Sequence, residues 1–198
     1  MDIRKLFSLE GRVALVTGAT HGLGMAVATA LAGAGATLAV NGHSADRLDK
    51  ALKTYENKGI DAKGYLFDVT DEQAVAEGVA RIEREAGPID ILVNNAGIIK
   101  RIPALEMTLP EWNEVIATDL TSPFLMSRAV AAGMIRRGHG KIVNMCSMMS
   151  EVGRSSVTAY AAAKGGLKML TKNLATEWAK HNIQVNGIGP GYFATEQT

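Results

Sequence analysis

Short apolar segments alternate with longer helical segments along almost the whole of this 198-residue chain. The apolar segments are nearly continuous, as in VALV at 13–16 and IDILV at 89–93, which is typical of parallel strands covered on both faces. Strands that alternate with helices predict right-handed crossovers and a doubly wound parallel sheet. The pattern therefore favours an α/β fold with helices on both faces of the sheet.

The same pattern sets the bounds of the predicted elements. The predicted strands span residues 13–18, 37–42, 64–69, 89–97, 141–147 and 183–188. The predicted helices span roughly residues 22–34, 44–58, 71–86, 108–137 and 155–181. Because no internal repeat, linker or low-complexity segment interrupts this order, residues 1–198 are predicted to form one Rossmann-like domain.

The composition excludes several classes of function. The chain carries 21 basic and 20 acidic residues, so no field of one sign would attract nucleic acid or an acidic membrane surface. The single cysteine, Cys146, rules out an internal disulfide framework and fits a reducing compartment. The N-terminus has no apolar core of signal-peptide length, and the Ala/Gly-rich run MAVATALAGAGATLAV is too short for a membrane span. We expect a cytoplasmic protein with no nucleic-acid or membrane partner.

Three glycines follow the first predicted strand in the stretch TGATHGLG, at Gly18, Gly22 and Gly24. Residues without a Cβ let the backbone approach a pyrophosphate, which then lies at the N-terminus of the following helix. Glycine clusters also form ordinary loops. Their position at the first strand–helix junction of an alternating pattern favours dinucleotide binding.

A tyrosine and a lysine, Tyr160 and Lys164, stand four residues apart in the last long predicted helix. Positions i and i+4 share one face of a helix. By itself this spacing is compatible with an ordinary helix, and equally with a phenol held beside an ammonium to move protons.

Six motifs along the chain resemble, in content and order, those of the short-chain dehydrogenase/reductase family. They are TGATHGLG, FDV at 67–69, NNAG at 94–97, a serine thirteen residues before the tyrosine, YAAAK at 160–164 and PGYFAT at 190–195. Within the family, the second half of the chain is most similar to bacterial enzymes that interconvert gluconate and 5-ketogluconate. The resemblance implies an NADP(H)-dependent oxidoreductase with a sugar acid as its small-molecule substrate, assembled as a homotetramer.

The resemblance implies catalytic roles for three residues. Tyr160 would be the proton donor and acceptor, and Lys164 its electrostatic helper and a ligand of the nicotinamide ribose. A phenol alone is too weak an acid to serve as a base at neutral pH, and a nearby ammonium favours the phenolate. Ser147 would hydrogen-bond the substrate oxygen, with Ser150 and Ser155 as alternative hydroxyls in the same loop.

The resemblance also implies a set of cofactor-binding residues. They are Thr17, Gly18, His21, Gly22, Leu23, Gly24, His43, Ser44, Asp68, Val69, Asn94, Ala96, Gly97, Tyr160, Lys164, Pro190, Gly191 and Thr195. At Asn94 the alternative is a strand-end amide that only satisfies backbone groups. Gly42 stands where enzymes that use NAD place an acid for the ribose hydroxyls, so NADP is expected in preference to NAD.

Three charged residues are candidates for binding the substrate alongside Ser147 and Tyr160. Arg101 and Arg154 could hold a carboxylate, and Glu151 could accept hydrogen bonds from hydroxyls. Each could equally be a solvated loop charge. The four histidines show no metal-ligand spacing, and no metal site is predicted.

Two departures from the family pattern bear on function. The fourth catalytic residue of the family is an asparagine, whereas this chain has Asp119, which could pair with the lysine or be solvated. The family also continues beyond the position of Thr198, with substrate-covering helices and a further strand that this chain is expected to lack. The alternative functions are a 3-oxoacyl-carrier or general ketone reductase, and a catalytically silent nucleotide-binding protein.

Overall fold

A computed structural model of the protein describes residues 3–193 and contains a six-stranded sheet in which every neighbouring pair is parallel. The strands lie in the order β3-β2-β1-β4-β5-β6. Their bounds are β1 Val13–Val16, β2 Thr37–Gly42, β3 Ala62–Leu66, β4 Ile89–Asn94, β5 Gly140–Met145 and β6 Ile183–Ile188. The predicted Rossmann-like, doubly wound architecture is therefore confirmed.

A short helix precedes β1, helices connect the consecutive strands, and three of these connecting helices begin at a side-chain cap. They are α1 Ile3–Leu6, α2 Gly22–Gly33, α3 Ala45–Asn57, α4 Glu72–Glu85, α5 Leu109–Ile116, α6 Ser122–Arg137 and α7 Thr158–Trp178. Ser44 caps α3, Asp71 caps α4, and Thr108 forms a reciprocal capping box with Glu111 at α5. Within residues 3–193, no helix is long and apolar enough to cross a membrane.

Both faces of the sheet are covered by helices. Successive side chains of β1 point to opposite faces of the sheet. Val13 and Leu15 pack with α4, α6 and α7, whereas Ala14 and Val16 pack with α2 and α3. This arrangement explains the continuous apolar strands, because neither face of the sheet is exposed to water. The strand order reverses between β1 and β4, which opens a crevice at the carboxyl ends of these strands.

The predicted helix 108–137 is divided in the structure. Between α5 and α6 the backbone makes a π-helical turn, Ala117–Thr121. Pro123 has no N–H to donate to the carbonyl of Asp119 four residues earlier, so a regular helical ladder cannot continue through this point. The interruption places Asp119 on the wall of the crevice, fully buried.

Several other predicted elements have different bounds in the structure. β1 ends at Val16, β4 at Asn94 and β5 at Met145, each two or three residues earlier than predicted. β3 ends at Leu66, so residues 67–69, which were expected to belong to the strand, line the crevice instead. α7 begins at Thr158 rather than at 155, because Ser156 has a left-handed backbone with a φ of 66° that is incompatible with a right-handed helix.

Candidate active site

The crevice at the carboxyl ends of the strands is a cavity of about 460 Å³. Its lining combines residues from the turn after β1, the ends of β2, β4 and β5, the π-helical turn, α7 and the segment after β6. In open α/β sheets, ligands bind at this point, where the strand order reverses. The size of the cavity falls within the range of small-molecule and cofactor sites.

The glycines after β1 allow a close approach of backbone that a side chain would obstruct. A Cβ at Gly24 would lie 2.4 Å from both the Gly18 carbonyl oxygen and Asn95 Nδ2. Gly18 has a φ of 60°, and its own Cβ would lie 2.8 Å from the Cα of Ala96. Gly22 has a φ of 55°, lines the cavity and has open space where a Cβ would be. The tight turn therefore requires glycine at positions 18 and 24, and Gly22 leaves bare backbone at the cavity.

Asn95 and Thr17 hold this turn against the end of β4. Asn95 Nδ2 donates to the carbonyls of Thr17 and Gly18, both at 3.0 Å. Thr17 Oγ1 accepts from the backbone N–H groups of Asn95 and Ala96 at 3.0 and 3.1 Å. Thr17 is buried and does not line the cavity, so its side chain supports the turn from behind.

Asn94 also lies beneath the cavity rather than in its lining. Its Nδ2 donates to Asn144 Oδ1 at 2.8 Å and to Ser127 Oγ at 3.0 Å. Asn144 Nδ2 in turn donates to Thr171 Oγ1 on α7 at 2.8 Å. This chain of buried polar groups ties β4 and β5 to the helices. Asn94 thus has a structural position but bonds mainly side chains, not only the backbone groups considered from the sequence.

Lys164 is held in a fixed position at the cavity wall. Only 4% of the residue is exposed, and its ammonium donates to the Met145 carbonyl oxygen at 2.8 Å. Asp119 Oδ2 lies 3.2 Å from Lys164 Nζ. The same ammonium lies 5.5 Å from the centroid of the Tyr160 ring, one helical turn away. Lysine and tyrosine therefore border the cavity together, as the i and i+4 spacing predicts.

Asp119 is an acid in an unusual environment. Its Oδ1 accepts from the Ile98 N–H at 2.8 Å, and a Cβ at Gly97 would lie 2.9 Å from its Oδ2. Burial raises the pKa of the Asp119 carboxyl above its ordinary value, and the Lys164 ammonium opposes this shift by favouring the carboxylate. Of the two alternatives open from the sequence, pairing with Lys164 and solvation, the structure has the pairing.

Ser147 lies at the end of β5, on the same cavity wall as Tyr160 and Lys164. Its Oγ accepts from the Met149 N–H at 3.1 Å, at the start of the 3₁₀ turn Met148–Ser150. A hydroxyl that accepts this bond keeps its own O–H for another acceptor. The side chain is therefore suited to donate a hydrogen bond to an oxygen atom in the cavity.

Most of the residues expected to bind a cofactor line this one cavity. These lining residues are Gly18, His21, Gly22, Leu23, Gly24, His43, Asp68, Val69, Ala96, Gly97, Tyr160, Lys164, Pro190 and Gly191. Ser44 does not line it, because its hydroxyl caps α3 by accepting from the Arg47 N–H. Asp68 Oδ1 accepts from the backbone and hydroxyl of Thr70, at 2.8 and 2.7 Å. Thr195 lies outside the described residues.

The three charged candidates for substrate binding lie outside the cavity lining. Arg154 donates to the Tyr192 hydroxyl at 2.7 Å and lies over the ring of that tyrosine. Glu151 forms an ion pair with Lys168 on α7. Arg101 is exposed in the loop after β4, which is joined to the Arg154 loop by the Ile102 N–H donating to the Ser156 carbonyl at 2.9 Å.

Several lining residues were not predicted from the sequence. They are Thr20, Phe67, Glu114, Thr118 and Cys146. Glu114 and Thr118 are four residues apart, so helical periodicity predicts that they share one face. To predict that this face borders the cavity, the position of α5 in the fold would also have to be known. Within residues 3–193, no group of three or more His, Cys, Asp or Glu side chains is arranged to hold a metal ion.

The comparisons with known proteins agree on one family. The short chain dehydrogenase family profile matches residues 12–198. The 2-dehydro-3-deoxy-D-gluconate 5-dehydrogenase of Formosa agariphila is 62% identical over 194 residues, which cover 98% of this chain and 74% of that protein. The gluconate 5-dehydrogenase of Gluconobacter oxydans is 50% identical over 193 residues, which cover 98% of this chain and 75% of that protein.

A solved structure shows the same similarity in three dimensions. The gluconate 5-dehydrogenase from Burkholderia cenocepacia, solved in complex with NADP and tartrate, superposes with a TM-score of 0.91 at 41% sequence identity. The match covers 96% of this chain and 75% of that one.

Proposed function

The chain belongs to the short-chain dehydrogenase family, and from this membership we propose that it transfers a hydride between NADP(H) and carbon 5 of a six-carbon sugar acid. It is an oxidoreductase that uses a nicotinamide nucleotide. The observation that carries the proposal is that Ser147, Tyr160 and Lys164 border the same cavity as the glycine turn after β1.

The residues on the β1–β4 side of the cavity fit a dinucleotide. The tight glycine turn at the N-terminus of α2 suits a pyrophosphate, because Gly22 lines the cavity with open space where its Cβ would be. Asp68 and Val69 would contact the adenine, while Pro190 and Gly191 would cover the nicotinamide. Bound there, the nicotinamide accepts or delivers the hydride, and the remaining chemistry belongs to the side chains.

A preference for NADP is supported by the end of β2. Gly42 lines the cavity at the position where an acid would bind the ribose hydroxyls and repel a 2′-phosphate. His43 and His21 line the same region, and His21 Nδ1 lies 3.0 Å from Thr20 Oγ1. Imidazole and hydroxyl groups can both hydrogen-bond a phosphate. The NADP complex of the Burkholderia cenocepacia protein supports the same choice.

The proton chemistry is assigned to the wall formed by β5 and α7. Tyr160 gives its phenolic proton to the carbonyl oxygen during reduction and takes it back during oxidation. Ser147 donates a hydrogen bond to the same oxygen and stabilises charge that develops there. Lys164 has three N–H donors, of which one binds Met145 and one faces Asp119, so a third remains for the nicotinamide ribose.

Two sugar acids are candidates for the substrate. The sequence pattern resembles enzymes that act on gluconate and 5-ketogluconate, and the Gluconobacter oxydans relative is a gluconate 5-dehydrogenase. The Formosa agariphila relative at 62% identity is a 2-dehydro-3-deoxy-D-gluconate 5-dehydrogenase. Both substrates carry a carboxylate at carbon 1 and react at carbon 5, so one site geometry serves either. Arg101 and Arg154 are proposed to attract the carboxylate.

A turnover assay tests the proposed function. The purified protein is incubated with 5-ketogluconate and NADPH or NADH, and in the reverse direction with gluconate or 2-dehydro-3-deoxy-gluconate and each oxidised cofactor. We expect NADPH-dependent reduction of 5-ketogluconate, with oxidation of at least one of the two acids. Turnover of acetoacetyl thioesters with no activity on either sugar acid would replace this function with that of a 3-oxoacyl reductase. Cofactor binding without turnover would indicate a silent nucleotide-binding protein.

We also propose a cytoplasmic homotetramer, as the family resemblance implies. Light scattering of the purified protein checks this assembly, and a monomeric mass would contradict it.

A further inference from the structure

A second hydroxyl, that of Ser150, bridges the turn that carries Ser147 to the helix that carries Tyr160 and Lys164. Ser150 Oγ donates to the Lys164 carbonyl oxygen at 2.9 Å and accepts from the Ser147 N–H at 3.3 Å. A carbonyl can only accept and a backbone N–H can only donate, so the direction of both bonds is fixed.

The bond to the Lys164 carbonyl is additional to the regular helix. Lys164 lies well inside α7, Thr158–Trp178, where each carbonyl already accepts from the N–H four residues later. The Ser150 hydroxyl is therefore not needed to satisfy this carbonyl. The bond instead sets the distance between the backbone at Ser147 and helix α7.

The 3₁₀ turn Met148–Ser150 is joined to two other parts of the site, the segment after β6 and α7. The Met148 N–H donates to the Pro190 carbonyl at 3.2 Å, which joins the turn to the segment after β6. Glu151, next to the turn, pairs with Lys168 one helical turn beyond Lys164. Ser150 is the member of this turn whose side chain contacts the backbone of two proposed catalytic residues.

We propose that Ser150 is a positioning residue for proton transfer, which holds Ser147 in register with Tyr160 and Lys164. Without the bridge, the turn can shift relative to α7 while each catalytic side chain remains present. A displacement of about 1 Å in a reacting site can cost on the order of 10²-fold in rate. The inference rests on the proposed catalytic roles of Ser147 and Tyr160.

The kinetic test compares three variants. Ser150→Ala removes both bonds, and Ser150→Thr keeps a hydroxyl. Thr176→Ala is the matched control, because it removes an exposed hydroxyl that donates to a carbonyl of the same helix, that of Lys172, at 3.0 Å. For Ser150→Ala we expect kcat to fall about tenfold or more, with the dissociation constant for the reduced cofactor within about twofold of the original. Ser150→Thr should recover most of the loss, and Thr176→Ala should match the unaltered protein.

Amide exchange provides a readout that does not depend on turnover. The Ser147 N–H is bonded to Ser150 Oγ, so its exchange measured by NMR should accelerate in Ser150→Ala and remain unchanged in Thr176→Ala. An unchanged exchange rate in Ser150→Ala, a kcat within twofold for Ser150→Ala, or an equal loss in Thr176→Ala would each overturn the proposal. Failure of the unaltered protein to turn over either sugar acid would count against the proposed substrate, whereas the exchange rate would still decide whether the bridge exists.

Discussion

At the scale of single residues, Asp119 determines how much positive charge Tyr160 experiences. Its carboxylate lies 3.2 Å from the Lys164 ammonium and is buried with it. A carboxylate at this distance offsets part of the field that favours the phenolate. The asparagine usual in the family would carry no such charge. The pH dependence of alcohol oxidation should therefore differ between the unaltered protein and the Asp119→Asn variant.

Asp119→Asn is expected to keep activity within about tenfold of the unaltered protein, or ~1.4 kcal/mol of barrier, and a collapse of activity with the fold intact would contradict this. The amide oxygen can still accept from the Ile98 N–H, and Lys164 keeps its bond to the Met145 carbonyl. The amide nitrogen, however, faces the ammonium where a carboxylate oxygen was. Steady-state kinetics with NADP measures the loss.

The pH profile of Asp119→Asn is the sharper observable. Removing the negative charge strengthens the effect of Lys164 on Tyr160, so the phenolate forms at lower pH and the rising limb for alcohol oxidation moves to lower pH. Asp46→Asn, at an exposed position on α3, serves as the control. If the pH profile of oxidation is the same for the unaltered protein, Asp119→Asn and Asp46→Asn, the charge of Asp119 is not coupled to the reaction.

Gly42 is expected to set the choice of cofactor. A Cβ at this position would lie 2.8 Å from Thr20 Cγ2, so any substitution displaces that methyl group. Gly42→Asn imposes the same displacement without charge and is the matched control for Gly42→Asp. We expect Gly42→Asp to shift the ratio of kcat/KM for NADPH and NADH by at least tenfold toward NADH relative to Gly42→Asn. Equal ratios for the two variants would show that charge at this position does not discriminate between the cofactors.

At the scale of elements, α2 contains three glycines, of which Gly24 and Gly33 have opposite roles. Gly24, near its start, faces the Gly18 carbonyl and Asn95, whereas Gly33, its last residue, has open space where a Cβ would be. The first glycine is required by the close approach of the turn. The second only adds flexibility to the unfolded chain.

Gly24→Ala should therefore destabilise the protein by about 1–3 kcal/mol and weaken cofactor binding, because either the turn or Asn95 must move. Gly33→Ala should stabilise it by roughly 0.5–1 kcal/mol. Urea unfolding together with cofactor titration measures both effects. Equal effects of the two substitutions would contradict the assigned role of Gly24.

The loops after β4 and β5 are expected to supply the charge that attracts the substrate. Arg101→Ala should raise KM for 5-ketogluconate at least fivefold more than KM for a neutral ketone of similar size, because only the carboxylate loses a charged partner. Arg154→Ala is measured in the same way, and Arg136→Ala, at an exposed position in α6, is the control. An equal change for both substrates would mean that the arginine shapes its loop instead.

At the scale of the whole molecule, the order of strands and helices could be predicted from apolar periodicity, and the position of the cavity followed from the glycine turn. Whether Asp119 pairs with Lys164 or is solvated could not be decided from the sequence, because the two residues belong to separate elements. The π-helical turn depends on Pro123 within a pattern that otherwise favours one continuous helix. Whether Thr17 and Asn94 line the cavity or support it depends on packing, which the family pattern does not reveal.

The central claim is that Tyr160 moves the proton in a hydride transfer to a sugar acid. The direct measurement is the turnover of Tyr160→Phe with NADPH and 5-ketogluconate, alongside NADPH affinity from fluorescence titration. Phenylalanine keeps the ring that lies beside Lys164 and removes only the hydroxyl. We predict that turnover falls by about 10²–10⁴-fold while the affinity for NADPH stays within about twofold. Turnover close to that of the unaltered protein, with the fold intact, would contradict the account.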